Sequence, residues 1–325
     1  MNSLLHIHNA DVYLTGSNSK FLSSDVITQF RGRGDEIHVY PLSFSEYVPA
    51  YQGSVDEAWD DYLIYGGMPL ILTMAEPEDK AAYLNSLFQK VYISDIVERH
   101  DVRNKVELDE LVDILASAIG SYTNQSKLVR TFKSVKGKTI SDKTIKNYID
   151  YLIDSFLISK AVRYDIKGKK YIGSPSKYYF EDVGLRNARL GFRQVEQTHL
   201  MENIIYNELR IRGYHVDVGV VEYYGVNGEG KRGKKQLEVY FVATKGSEKH
   251  YIQSAFTLPT ADKVDQEQRS LLHIPDSFRK IIVVGDNIKI RRDENGIITI
   301  GLRNFLLDED SLRSVSYTHL QAHET

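Results

Sequence analysis

Between His199 and Val284 the apolar periodicity changes in an order that few folds accept. From His199 to Leu209 the apolar residues recur at helical spacing, with Leu200, Ile204, Ile205 and Leu209 on one face. Gly213 is a stop signal. Three strand-like runs follow, Tyr214–Val218, Gln236–Ala243 and His250–Phe256, the first two joined by a basic turn from Lys231 to Lys235. A helix from Ala261 to Leu272 and an apolar strand from Lys280 to Val284 complete the unit. Helix, three strands, helix and strand predict an α/β domain. Glu202 stands on the first helix and Glu238 on the second strand.

At the other end, the apolar run Val12–Leu14 leads into Thr15-Gly16-Ser17-Asn18. A strand ending in small polar residues is where open α/β sheets place ligand chemistry. Asn18 there suits an attacking water or a γ-phosphate oxygen, and Arg31 and Arg33, about one helix later, suit phosphate charge. The alternative is a strand, a turn and two solvated arginines. A phosphate-binding loop, Gly-x-x-x-x-Gly-Lys-Ser/Thr, occurs nowhere in the sequence. Lys136-Gly-Lys-Thr139 lacks the upstream glycine and falls in a basic loop between helices. The chain by itself is therefore expected to bind no ATP or Mg²⁺ well.

The intervening segments read as helical. Val55, Trp59, Tyr62 and Leu63 share a face, Tyr65-Gly-Gly-Met-Pro69 breaks the run, and Leu84, Leu87, Phe88, Val91 and Tyr92 form a second face. Further on come a stripe of Leu108, Leu111, Val112, Leu115 and Ile119, a short helix from Ser126 to Ser134, and a helix capped by Ser141. Short strands then follow at Ala161–Asp165, Lys170–Ile172 and Lys177–Phe180. Three helices and a β-hairpin are the parts of a winged helix. Residues 121–180 carry 13 Lys/Arg against 4 Asp/Glu, a local net of +9 within a chain of net charge −3. Such a patch is the footprint of a phosphate backbone, with Lys143, Lys146 and Asn147 outward on the reading helix. The alternative is a winged helix used for protein contacts, its lysines serving solubility.

A length of 325 residues allows two or three domains, and the absence of cysteine excludes disulfides and thiolate metal sites. No apolar run approaches a membrane span and no signal peptide is apparent at Met1, so no membrane partner and a cytoplasmic location are expected. The histidines His319 and His323 stand at i and i+4 in a tail, 313–325, that reads as artefactual and is expected to be disordered.

The words Thr15-Gly-Ser-Asn18, Gly32-Arg33, Pro41-Leu-Ser-Phe-Ser-Glu-Tyr47 and Tyr62-x-x-Tyr-Gly-Gly-x-Pro69 resemble the second half of the core in bacterial and archaeal AAA-type ATPases that carry a C-terminal DUF4143 region. The resemblance implies a sensor role for Asn18 and an arginine-finger-like role for Arg31 and Arg33 near a neighbouring subunit or partner. It implies ATP and Mg²⁺ in the intact family, and a chain here that starts past the phosphate loop, at an internal start or a truncated gene. The last domain resembles the PD-(D/E)xK nuclease fold, whose second strand commonly reads Glu-x-Asp-Phe. Here it reads Glu238-Val-Tyr240-Phe241, and the third strand offers Gln253-Ser-Ala255 with no lysine, so Glu202, Glu238 and Gln253 stand as remnants. A neutral phenol is a poor Mg²⁺ ligand. The expected fold class is multidomain α/β: the C-terminal part of a P-loop ATPase core (1–50), a helical lid (51–105), a winged helix (106–192) and a degenerate PD-(D/E)xK-like α/β domain (193–312). The expected function is that of an AAA-type ATPase fragment with DNA- or partner-binding C-terminal domains, alone or as a homo-oligomer. A non-enzymatic nucleic-acid-binding module and a Mg²⁺-dependent nuclease are the alternatives.

Overall fold

A computed structural model describes residues 37–137, 139–226 and 232–313, with a few isolated positions before residue 17. Asn18, Arg31 and Arg33, and the tail from 314 onward, lie outside the described residues.

The Pro41–Tyr47 phrase has a local physical meaning. Ser43 and Glu46 form a capping box on a one-turn helix, α1 (Phe44–Tyr47), whose Phe44 and Tyr47 are wholly buried. The same device starts α2 (Val55–Tyr65), where Glu57 accepts from the Ser54 amide at 2.8 Å. Gly66 ends α2 with φ +74°, a conformation that favours glycine. Beyond it, α3 (Pro77–Leu87) continues through a π-helical turn, Phe88–Ile93, into α4 (Ser94–Arg99).

Next come α5 (Lys105–Ser117), α6 (Gln125–Thr131) and α7 (Asp142–Asp154), each started by a side-chain cap from Asn104, Asn124 and Ser141 in turn. The Ser141 cap and the buried face of α7, with Ile145, Tyr148, Ile149 and Leu152, agree with the sequence reading. Lys136–Gly137 lies between α6 and α7, with Gly137 left-handed at φ +64°. Two strands follow, β1 (Ile158–Asp165) and β2 (Lys170–Phe180). The second is one strand where the sequence suggested two pieces. Thr123, before α6, makes an isolated antiparallel bridge to Ser176 on β2.

After α8 (Val183–Arg189), the elements α9 (Gln197–Ile211), β3 (His215–Val226), β4 (Arg232–Lys245), β5 (Glu248–Ala255), α10 (Ala261–Leu272) and β6 (Arg279–Val284) keep the order read from the sequence. The chain closes with β7 (Arg291–Arg292), β8 (Ile298–Gly301) and α11 (Leu302–Leu307). The eight strands among the described residues form one mixed sheet, ordered β2-β1-β3-β4-β5-β6-β8-β7. The hairpin is thus continuous with the later strands, because β1 runs parallel to β3 from Arg163 to Asp165. The sheet therefore crosses the boundary expected near residue 192. No helix among the described residues is long and apolar enough to cross a membrane.

One buried hub joins the helical half to the sheet. Asp182 caps α8 and also accepts from the Gly67 amide at 2.7 Å. Asn187 donates to the carbonyls of Leu63 and Ile64 at the end of α2. Arg186, only 1% exposed, donates to the Ala116 carbonyl of α5 at 2.9 Å. Leu42 reaches the same corner, donating to the Gly67 carbonyl at 2.8 Å. The corner is tight enough that a Cβ on Gly184 would collide with the Tyr65 carbonyl oxygen. Gly184→Ala should therefore destabilise the protein by about 3 kcal/mol or more, as other strained core substitutions do. Urea titration followed by circular dichroism measures this; an unchanged midpoint would refute so close a contact.

Candidate functional site

Helix α9 packs against the sheet, touching β3 and β5 as well as the edge strand β2, and its polar side chains meet the end of β2 at Phe180 and Glu181. Asn203 pairs with the Phe180 backbone as a neighbouring strand would: Oδ1 accepts from the amide and Nδ2 donates to the carbonyl, both at 2.8 Å. Asn207 donates to the carbonyls of Phe180 and Glu181. Arg210 meets Glu181 at 2.5 Å. The ring of Tyr206 stacks on Tyr179 with centroids 4.2 Å apart.

Glu202 sits on the same helix face, and the structure brings it together with Glu238. Lys177 of β2 joins them, its Nζ lying 2.9 Å from Glu202 Oε1 and 2.5 Å from Glu238 Oε1. Tyr179, two residues on and on the same face of β2, donates to Glu202 at 2.6 Å. The Lys177 ammonium also lies 4.7 Å from the ring centroid of Tyr240 and 5.4 Å from that of Tyr122. The side chains of Lys177 and Glu202 are 2% and 6% exposed, whereas that of Glu238 is 31% exposed and forms the open side. Gly120 backs the Glu202 carboxylate, where a Cβ would come within 3.0 Å.

Burial pushes the Lys177 ammonium toward deprotonation, but Glu202 and Glu238 outweigh it and raise its pKa, so the amine stays charged. Burial and the same two carboxylates raise the Tyr240 phenol, which stays neutral.

Gln253, the third remnant residue, is used differently. The β4–β5 ladder ends at the pair Phe241–Ile252. Beyond it, Gln253 Oε1 accepts from the Tyr240 amide at 2.8 Å, so its side chain substitutes for the next ladder bond. Opposite β3, the register slips between Asp217 and Gly219 while β4 advances from Val239 to Val242. This places a bulge at Tyr240–Phe241. Phe241 goes to the core while Tyr240 still covers Lys177.

A divalent cation does not fit these residues as they stand. An ammonium occupies the point between the carboxylates, and Gln253 is committed to the backbone. No group of three or more His, Cys, Asp or Glu that could hold a metal exists among the described residues. A separate cleft of about 190 Å³, lined by Ser43, Glu46, Glu208, Arg212, Lys245 and Arg313 among others, lies apart from this centre. Its charges are answered within the protein: Arg212 by Glu208 at 2.6 Å, Lys245 by the Arg212 carbonyl, and Arg313 by Glu248.

The other predicted site residues lie elsewhere. Lys143 and Lys146 are exposed on α7, and Asn147 beside them is half-buried. Lys146 makes only a 3.8 Å contact with Asp150, a surface pair of little strength. Sequence reasoning missed Lys177, Tyr179 and Asn203. The available signal was the aromatic run Tyr178-Tyr-Phe180 after Lys177, which marks the strand end as buried without marking the lysine.

Residues 2–48, α1 included, match the family described as an AAA domain. Residues 56–196 match a domain of unknown function, DUF8612, and this corrects the expectation of DUF4143. The chain belongs to the family of an uncharacterized protein from Haemophilus influenzae, with 34% identity over 94% of this chain and 73% of that protein. An uncharacterized protein of Methanocaldococcus jannaschii is 29% identical over 63% of this chain, which spans about half (48%) of that relative. A Vibrio cholerae protein of known crystal structure aligns over 86% of this chain at 13% identity, but a TM-score of 0.25 carries no argument about the fold.

Removing the cation should cost more than removing the centre. Lys177→Met leaves the buried Glu202 without its counter-charge and with only the Tyr179 hydroxyl as donor, and about 3–5 kcal/mol of stability should be lost. Adding Glu202→Gln removes the stranded charge and should return a good part of that loss. Urea denaturation of both variants tests this; a double variant no more stable than Lys177→Met would contradict it.

Proposed function

We propose that this chain is the nucleic-acid-binding portion of an AAA-type protein, with a winged helix that grips duplex DNA and a nuclease-like domain that no longer cuts it. The observation that carries the reading is the basic excess of residues 121–180 on exposed elements. Lys143 and Lys146 project from a helix whose opposite face is buried, Lys127 and Arg130 are exposed on α6, and Lys133 is exposed on the π-helical turn, Phe132–Lys136, that follows it. Lys167, Lys169 and Lys170 are exposed at the tip of the β1–β2 hairpin. Helix, short strand at Thr123, two helices and a hairpin is the element order of a winged helix, and the Thr123–Ser176 bridge supports that assignment. In this reading α7 enters the major groove, with Lys143 and Lys146 on phosphates and Asn147 toward base edges.

The order α9-β3-β4-β5-α10-β6 supports a PD-(D/E)xK-like assignment for the second half. Cleavage is left out of the proposal because Glu202 and Glu238 share the Lys177 ammonium rather than facing an open ion site. ATP and Mg²⁺ are general to AAA-type proteins. The phosphate-loop run is absent from the sequence, and Lys136 ends a π-helical segment, Phe132–Lys136, capped by left-handed Gly137. We read Asn18 as a sensor position and Arg31 and Arg33 as arginine-finger-like positions of the AAA-type region, from the resemblance of their sequence alone.

Duplex binding should weaken steeply with salt. Changing Lys143 and Lys146 to Glu should reduce affinity at least tenfold and lower the slope of log K against log salt by roughly 2. Fluorescence anisotropy with a labelled duplex at several salt concentrations is the measurement. Equal binding by wild type and variant would defeat the reading. The same duplex incubated with Mg²⁺ should remain intact; cleavage lost in Glu238→Ala would establish the nuclease alternative instead.

A further inference from the structure

Two carboxylates converge on one point from separate rigid elements, Glu202 from the middle of α9 and Glu238 from β4. Aromatic rings wall the point on two sides, and the partly exposed Glu238 leaves a way in from solvent. Oxygen ligands brought together in this way hold a divalent cation in many proteins, which then keeps several of its own waters. Here the point belongs to the Lys177 Nζ, within hydrogen-bond distance of both carboxylates. An ammonium brings one charge and three donors. Two of those donors are spent on the glutamates, and the charge also faces the Tyr240 ring. An incoming ion would have to expel a lysine that is 2% exposed and reaches the centre from an edge strand clamped by Asn203.

We propose that Lys177 is a built-in counter-ion standing where a divalent cation would otherwise sit. The ammonium makes this centre a metal-independent joint tying β2 to α9 and β4, and loss of the lysine opens a divalent-cation site on Glu202 and Glu238. This goes beyond the nucleic-acid reading and does not depend on it. DNA binding through α7 can fail while the joint stands, and the joint can fail without touching Lys143 or Lys146.

The test is cation binding by the full chain. Tb³⁺ reports occupancy because Tyr240 and Tyr179 stand beside the centre and can sensitise its emission. Wild type and Glu202→Gln should give the same weak, non-saturating emission. Lys177→Ala should give saturable emission at least tenfold stronger, displaced by Mn²⁺. With Mn²⁺ at ten times its Kd, the Tm of Lys177→Ala should rise by about 2–4 °C, while that of wild type stays still. Both gains should vanish in Lys177→Ala/Glu202→Gln. Lys177→Gln, which keeps more of the side-chain volume, is titrated in parallel so that the result does not hang on one variant's solubility. Saturable wild-type emission abolished by Glu202→Gln would make the centre a resident metal site and overturn the proposal. So would soluble lysine variants that bind no more cation than the double variant.

Discussion

An ammonium between two carboxylates fixes how the sheet is assembled. Lys177 enters from the edge strand β2, Glu202 from helix α9 packed against the sheet, and Glu238 from β4, three places further in. Burying either carboxylate alone would be costly, because removing charge from water is recovered only by close pairing and further hydrogen bonds. The centre meets that condition for Glu202, which takes both the ammonium and the Tyr179 hydroxyl. Once these contacts form, β2 is held against α9, and Asn203 can complete the edge with an amide in place of another strand. The hairpin expected to be a wing therefore belongs to the same sheet as the later strands β3 to β8.

The helical half depends on a second set of buried polar contacts. Asp182, Arg186 and Asn187 occupy six consecutive positions just after β2 and reach the Gly66-Gly67 corner, α5 and the end of α2. Carbonyls at the ends of α2 and α5, which would otherwise lack partners, receive donors from Asn187 and Arg186. The Pro41–Tyr47 phrase docks on the same corner through Leu42. The end of the segment that matches the AAA domain, the DUF8612 segment and the sheet thus meet at one junction.

Much of the scaffold could be read in advance because its signals are local. Ser141 caps its helix by a bond within one turn, Gly66 stops α2 by backbone freedom, and the strand and helix periods from His199 to Val284 give element order directly. The centre was only half legible. Glu202 and Glu238 stood out as carboxylates, but their partner lay among thirteen basic residues and looked like part of a solvated patch. Nothing local marks Lys177 as buried; that follows from the pairing of β1 with β3 and from α9 packing against the sheet, both set by long-range packing. Strand alternation put Tyr240 correctly beside Glu238, yet the reason that Gln253 turns to the backbone is a bulge and a ladder end, which no periodicity reveals.

The most direct test of the internal cation is a crystal of the wild-type protein grown in millimolar Mn²⁺ and measured for anomalous scattering. The account predicts Lys177 Nζ in density between Glu202 and Glu238, within hydrogen-bond distance of both, with no anomalous peak at that point. A manganese peak bridging the two carboxylates, with the lysine turned away, would contradict it.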